Sequence, residues 1–221
     1  MVNLVLPPDM PQDFILADKK KKNGGSAPDH DSDKSDHSVI LTAQKQHQVI
    51  TRMAHEIVEK NRSFENLVIV GVVTRGGVLA ERLSAELKRI TGAVISVGTL
   101  DPTLYRDDFK QKGAVLAAKI TQIPFSIDNM TVLLVDDVLF TGRTINAAIT
   151  HLFDMGRPKE IQLAVLIDRG HRELPIRPDY CGKNVPTQYV EKIRVRFLEC
   201  DGKDIVLSGL GENADSEGKN G

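Results

Sequence analysis

Between residues 40 and 207 the apolar positions fall into two alternating patterns. Predominantly apolar runs at residues 67–72, 131–135 and 161–167 read as strands buried on both faces. Between them, apolar residues recur at helical spacing. Ile50, Met53, Ala54, Ile57 and Val58 mark a helix over residues 42–61, and a second is predicted over residues 78–90. Ile145, Ala148, Ile149 and Leu152 mark a third, ending near Gly156. Residues 94–100 read as another strand, and residues 114–120 as an arm of a ribbon with the segment before them. Residues 193–198 and 204–207 form a further strand and its partner. Periodicity stops from His171 to Pro186, where three prolines and one glycine punctuate the chain. Strands alternating with helices predict a mainly parallel α/β sheet with right-handed crossovers. Ligands of such sheets gather beyond the C-terminal strand ends.

The ends of the chain show neither pattern. A lysine run at residues 19–22, then Asn23-Gly24-Gly25-Ser26 and an acidic stretch holding His30 and His37, offer little apolar area to offset chain entropy. They read as a solvated tail rather than a metal site, with Phe14-Ile15-Leu16 as an isolated apolar patch. The expected division is a disordered extension over 1–38, a folded domain over 39–208 and a disordered tail over 209–221. Composition is that of a soluble domain, 41% hydrophobic and 27% charged. A net charge of −1 gives no overall attraction to nucleic acid, so any basic surface must be local. Two cysteines make no disulfide framework, which points to a reducing cytoplasm. The first residues are broken by Pro7, Pro8 and Pro11 and lack a signal-peptide pattern. No apolar segment is long enough to span a membrane.

Candidate chemistry concentrates after the strand at 131–135. Asp136 and Asp137 close it, and Thr141-Gly142-Arg143-Thr144 opens the next helix. A helix start presents unpaired N–H groups and the positive end of the dipole, which suits a phosphate. Gly142 permits close backbone approach, and the threonine hydroxyls add donors. The carboxylates repel a phosphate, so they must face something neutral or cationic beside it. Vicinal sugar hydroxyls with a divalent metal nearby meet that demand, and ribose 5-phosphate fits the whole element. The plainer reading is a strand-to-helix turn with Asp and Thr as caps. One unit upstream, Thr74-Arg75-Gly76-Gly77 places a cation and two glycines at another helix start, a second anion site suited to a diphosphate. On the first helix, Thr51, Arg52 and His55 lie away from the apolar stripe and by themselves read as a solvated face.

The order strand–Asp–Asp–x–x–x–Thr–Gly–x–Thr–helix resembles the phosphoribosyl pyrophosphate (PRPP) signature of the type I phosphoribosyltransferases. Thr51-Arg52-Met53-Ala54-His55-Glu56, Thr74-Arg75-Gly76, Leu104-Tyr105-Arg106-Asp107-Asp108 and the run from Asp168-Arg169-Gly170-His171-Arg172 to Ile176-Arg177 resemble the PyrR family. That family contains uracil phosphoribosyltransferases that also attenuate transcription of pyrimidine operons. The resemblance covers about residues 40 to 207. It implies a type I phosphoribosyltransferase fold with a small irregular hood, and conversion of uracil and PRPP to UMP and diphosphate with Mg²⁺ held mainly through PRPP. Asp136 and Asp137 would meet the ribose hydroxyls, and Val138, Leu139, Phe140, Thr141, Gly142, Arg143 and Thr144 would complete the cradle. Thr74 and Arg75 would hold the diphosphate, Arg106 would act from its own loop, and Arg169 and Ile193 would flank uracil. Thr51, Arg52, His55, Arg172, Arg177 and Lys183 would contact leader RNA, with UMP or UTP as effector and a homo-oligomer as the assembly. Phe140 stands where many relatives carry tyrosine, Val73 where lysine is frequent, and the segment after Asp108 is shorter than usual. The alternatives are a phosphoribosyltransferase without RNA regulation, an RNA-binding regulator with little catalysis, and a purine enzyme. Phe140 argues against the last, because 6-oxopurine enzymes place an aspartate there.

Overall fold

The structure is a computed structural model that describes residues 37–106 and 121–210. The expected strand at 114–120 lies outside the described residues.

Five parallel strands form the main sheet: β2 (Leu67–Val72), β3 (Ser96–Leu100), β4 (Thr131–Leu139), β5 (Glu160–Asp168) and β6 (Tyr180–Asn184). Their order is β3-β2-β4-β5-β6, so the most apolar strands are interior and the most polar is an edge. On one face lie α1 (Ala43–Lys60) and α2 (Arg75–Thr91), packed through Ile50, Met53, Ile57, Leu79 and Leu83. On the other lies α3 (Arg143–Met155), packed through Ile145, Ala148 and Leu152. A small antiparallel sheet, β1 (His37–Thr42), β8 (Ile205–Leu210) and β7 (Glu191–Arg196), carries Leu41, Val195 and Val206 into the first core. This is the mainly parallel, helix-flanked architecture that the periodicity predicts.

Local chemistry explains the ends of the elements. Thr42 accepts from the Lys45 N–H at the start of α1, and Gly92, at φ 75°, takes the left-handed turn that ends α2. Gly71 and Gly76 let α2 lie against the sheet, since a Cβ on Gly71 would stand 2.5 Å from the Gly76 carbonyl oxygen.

Three elements differ from expectation. Residues 37–42 form β1, whose inward residue is mainly Leu41, and its pairing with β8 comes from the far end of the chain. The aperiodic segment contains β6, with Tyr180 and Gly182 buried and Lys183 and Asn184 exposed. Its pairing with β5 is long-range, and a Cβ at position 182 would sit 2.4 Å from the Leu166 carbonyl oxygen. Finally, α2 begins at Arg75 rather than at 78, so the expected anion loop is its first turn.

Candidate active site

The site begins where β4 leaves the core. Val132, Leu133, Leu134 and Val135 are fully buried, and they fix the strand that carries Asp136 and Asp137 to the sheet's C-terminal edge. Asp136 is 7% exposed. Its Oδ1 accepts from the Asp137 N–H at 2.9 Å, and the Asp137 carboxylate accepts from the Val138 N–H at 3.0 Å. Burial, and then the neighbouring Asp137 charge, push the Asp136 carboxyl well above the usual range; burial raises Asp137 as well. Two adjacent acids in so little water favour any ligand that brings hydroxyls or positive charge to them.

Beyond them the chain turns through Phe140 and Thr141 to Gly142, whose φ of 92° is left-handed, and α3 starts. The Thr141 carbonyl accepts from the Glu173 and Leu174 N–H groups at 3.0 and 3.1 Å, pinning the turn. Arg143 points outward to Glu173, at 2.6 Å. The result is a cleft of about 150 Å³ lined by Asp136, Phe140, Thr141, Gly142, Thr144 and Arg106. Arg106 reaches it from beyond a 3-10 turn at Thr103–Tyr105, its guanidinium donating to the Thr144 hydroxyl at 2.6 Å. Val138, Leu139 and Ile145 complete the wall.

Thr74 is the N-cap residue of α2, and the Val73–Thr74 peptide bond is cis. A Cβ on Gly76 would stand 2.6 Å from the Val135 carbonyl oxygen and 3.1 Å from the Asp136 Cα, so the start of α2 lies directly on the end of β4. Arg75 forms a two-point ion pair with Asp201, at 2.6 and 3.1 Å, in the short helix α4 (Leu198–Asp201). That pair holds the Asp201 carboxyl well below the usual range, and the Asp137 charge further favours the Arg75 cation.

Arg169 is 6% exposed. It donates to the Thr187 hydroxyl at 3.1 Å and to the Gln188 and Tyr189 carbonyls at 3.1 and 3.3 Å. Its guanidinium carbon lies 4.0 Å from the centre of the Phe140 ring. His171 and Tyr189 surround the same ring at 5.9 and 5.4 Å. A cavity of about 360 Å³ adjoins, lined by Asp168, Arg169, His171, Asn184 and Thr187. Ile193 is half-buried on β7 and, like Val138, packs against the α1–α2 core. Tyr189 and Thr187 carry no local sequence pattern that marks them for this site, because Arg169 gathers them from beyond β6, and Asn184 is brought there by its pairing with Asp168.

The residues expected to meet RNA divide. His55, Lys183 and Arg177 are exposed. Thr51 donates to Glu86 at 3.3 Å. Arg52 lies over the edge strand, donating to Glu56 and to the Cys181 and Gly182 carbonyls, and Lys183 sits on that same strand. Arg172 turns inward. It donates to the Phe140, Gly170 and Ile176 carbonyls at 2.7, 3.1 and 2.9 Å and pairs with Asp168 at 2.5 Å. The guanidinium thereby ties the cradle to the following loop. Among the described residues no cluster of three His, Cys, Asp or Glu forms a metal site, and no helix is long and apolar enough to cross a membrane.

Residues 37–195 match the phosphoribosyl transferase domain family. The bifunctional protein PyrR of Deinococcus radiodurans is 52% identical over 169 residues, 76% of this chain and 92% of that protein. The PyrR proteins of Pelotomaculum thermopropionicum and Clostridioides difficile are each 54% identical, over 72% and 71% of the chain and 87% and 89% of their own lengths. Among solved structures, a hypoxanthine phosphoribosyltransferase of Trypanosoma cruzi aligns with a TM-score of 0.60 at 17% identity, covering 79% of this chain and 97% of that one. One from Staphylococcus aureus aligns with a TM-score of 0.58 at 20% identity, covering 79% and 92%. At such identities the purine enzymes speak for the fold alone.

Proposed function

The chain belongs to the phosphoribosyl transferase domain family and, within it, to PyrR, and from that premise we propose that it transfers the phosphoribosyl group of PRPP to uracil and binds pyrimidine-operon leader RNA under the control of UMP or UTP. The observation that carries the catalytic half is the convergence of two chain segments on one cleft: the stretch holding Asp136 and the Phe140–Thr144 turn, and the segment that ends in Arg106.

In this reading the N–H groups at the start of α3 and the Thr141 and Thr144 hydroxyls hold the 5-phosphate. Asp136 and Asp137 accept from the ribose 2- and 3-hydroxyls. Thr74 and Arg75 meet the diphosphate, while Arg169 and Ile193 place uracil beside Phe140. Bond cleavage at the anomeric carbon builds positive charge on the sugar and negative charge on the departing diphosphate. The buried carboxylates stabilise the first, and Arg106 and Arg75 the second. The adjacent carboxylates of Asp136 and Asp137 are chemically suited to Mg²⁺ carried in on PRPP, and the ion would there neutralise diphosphate charge. Water exclusion by the surrounding walls limits hydrolysis of PRPP. As uracil N1 bonds to the anomeric carbon the C–O bond to diphosphate breaks, and the N1 proton passes to the departing diphosphate or to solvent.

The RNA half rests on His55, Arg52, Lys183 and Arg177, which line the α1–β6 side and the loop before β6. Arg172 links that loop to Phe140, giving a nucleotide in the cradle a route to the RNA surface. A homo-oligomer in the cytoplasm is the proposed setting. Purified protein, PRPP, Mg²⁺ and labelled uracil are expected to yield UMP. Absence of UMP from protein shown to bind PRPP would overturn the enzymatic reading. RNA regulation is tested by titrating pyrimidine leader RNA with and without UMP; an affinity that UMP leaves unchanged would remove the control.

A further inference from the structure

Tyr105 and Arg106 are consecutive, and both are held by the same helix. Arg106 reaches the Thr144 hydroxyl in the first turn of α3, at 2.6 Å. Tyr105 stacks on His151, ring centres 4.4 Å apart and planes 16° from parallel. Thr144 and His151 are seven residues apart, so they share one side of α3 and stand about 10 Å apart along its axis. The stack is braced from both sides. His151 Nδ1 lies 3.2 Å from the carbonyl oxygen of buried Asp101, a distance that suits an Nδ1–H donor. The Asp101 carboxylate in turn accepts from the Thr103 N–H and hydroxyl at 2.9 and 2.5 Å, shaping the 3-10 turn that ends in Tyr105. The Tyr105 hydroxyl bonds to Asp154, three residues beyond His151, which raises the phenol's pKa.

We propose that His151 is a positioning residue for phosphoribosyl transfer: its stack on Tyr105, tied to the Asp101 backbone, fixes where the chain delivers the Arg106 guanidinium. The proposal rests on the reading of Arg106 as the residue that meets the leaving diphosphate. An arginine has four side-chain torsions before its guanidinium, so fixing its backbone origin is the economical way to limit where its charge goes. The same helix that offers the phosphate-binding N-terminus then also sets the distance to Arg106. His151 itself lies two turns from the cleft and touches no substrate group.

The test is a kinetic cycle in uracil phosphoribosyltransferase assays of His151→Ala, His151→Phe, Arg106→Ala and the double variant H151A/R106A. Circular dichroism melting confirms that each is folded. Loss of the stack is expected to lower kcat about tenfold, since small misplacements of a charge-stabilising group are costly, with KM for uracil changed less than about twofold. His151→Phe keeps a stackable ring and is expected to stay within about threefold of wild type. Arg106→Ala is expected to lose on the order of 100- to 1000-fold, and adding His151→Ala to it less than about twofold more. Equal tenfold losses with and without Arg106 would show that His151 only supports α3, and so overturn the proposal. A wild-type kcat in His151→Ala would do the same. A wild-type rate in Arg106→Ala would instead remove the reading on which the proposal stands, and the two failures are thus told apart.

Discussion

The β4–α3 cradle and the segment from Arg169 to Tyr189 sit side by side, yet they are built by opposite means. The cradle is one continuous stretch: a buried strand delivers two carboxylates, and six residues after the second a helix N-terminus stands beside them. Its contacts are short-range, such as Asp137 N–H to Asp136 and Arg143 N–H to Thr141. The second region is assembled by two arginines that reach away from their own positions. Arg169 gathers Thr187, Gln188 and Tyr189, while Arg172 binds carbonyls from Phe140 to Ile176. A basic residue beside a site therefore has two possible employments. Arginine's five donors suit it as well to binding backbone carbonyls as to meeting a phosphate. Only its surroundings decide between them.

Neutralising the cradle while leaving its shape separates the two regions most clearly. Replacing Asp136 and Asp137 together by Asn is expected to reduce turnover on the order of 1000-fold or more, read from UMP formation. The same change bears on stability. Both carboxyls have folded-state pKa values raised by burial, so the folded protein binds more protons than the unfolded chain. Stability from these groups is complete below the unfolded carboxyl pKa and is lost as pH rises through the folded values. The Asn pair should therefore melt higher than wild type at neutral pH, and the gap should close in acid. A lower melting temperature at neutral pH would mean that the charges hold the fold rather than only the ligand.

Arg106→Ala comes next, with a fall in kcat on the order of 100- to 1000-fold and a smaller change in KM for uracil. An unchanged kcat would move leaving-group stabilisation elsewhere, with Arg75 the first candidate. Arg172→Ala tests the second region. It strands several carbonyl oxygens and the Asp168 carboxylate, for an expected loss of about 2–4 kcal/mol in urea unfolding, together with weaker turnover through the displaced Phe140. Lysine at that position should not rescue, because it lacks the planar fork. The smallest effect is expected from Arg52→Ala. Its ion pair with Glu56 is exposed, so stability should change by no more than about 1 kcal/mol. Leader-RNA binding should weaken, with a salt dependence shallower by about 0.7 to 0.9 in log–log slope if Arg52 meets one phosphate. An RNA affinity and slope equal to wild type would leave Arg52 as a strap over β6.

How much the chain revealed on its own follows the same divide. The strands at 67–72 and 131–135, the first helix and the Asp136–Thr144 element were all readable, because burial on both faces and helix starts each leave a pattern within a dozen residues. The end of β4 and the start of α3 are covalently close, so their chemistry could be assembled without knowing the fold. By contrast, β1 and β6 carry little apolar pattern, since each is an edge or near-edge strand held by a partner distant in sequence. That Arg172 would bind backbone carbonyls was equally invisible, for nothing local distinguishes it from Arg177. The Tyr105–His151 stack joins residues 46 positions apart. Local sequence alone marks the carboxylate pair and the helix start beside it, because that element is made of neighbours. The tertiary structure alone decided which arginines remain available to ligands, because donors are claimed by carbonyls that only folding brings near.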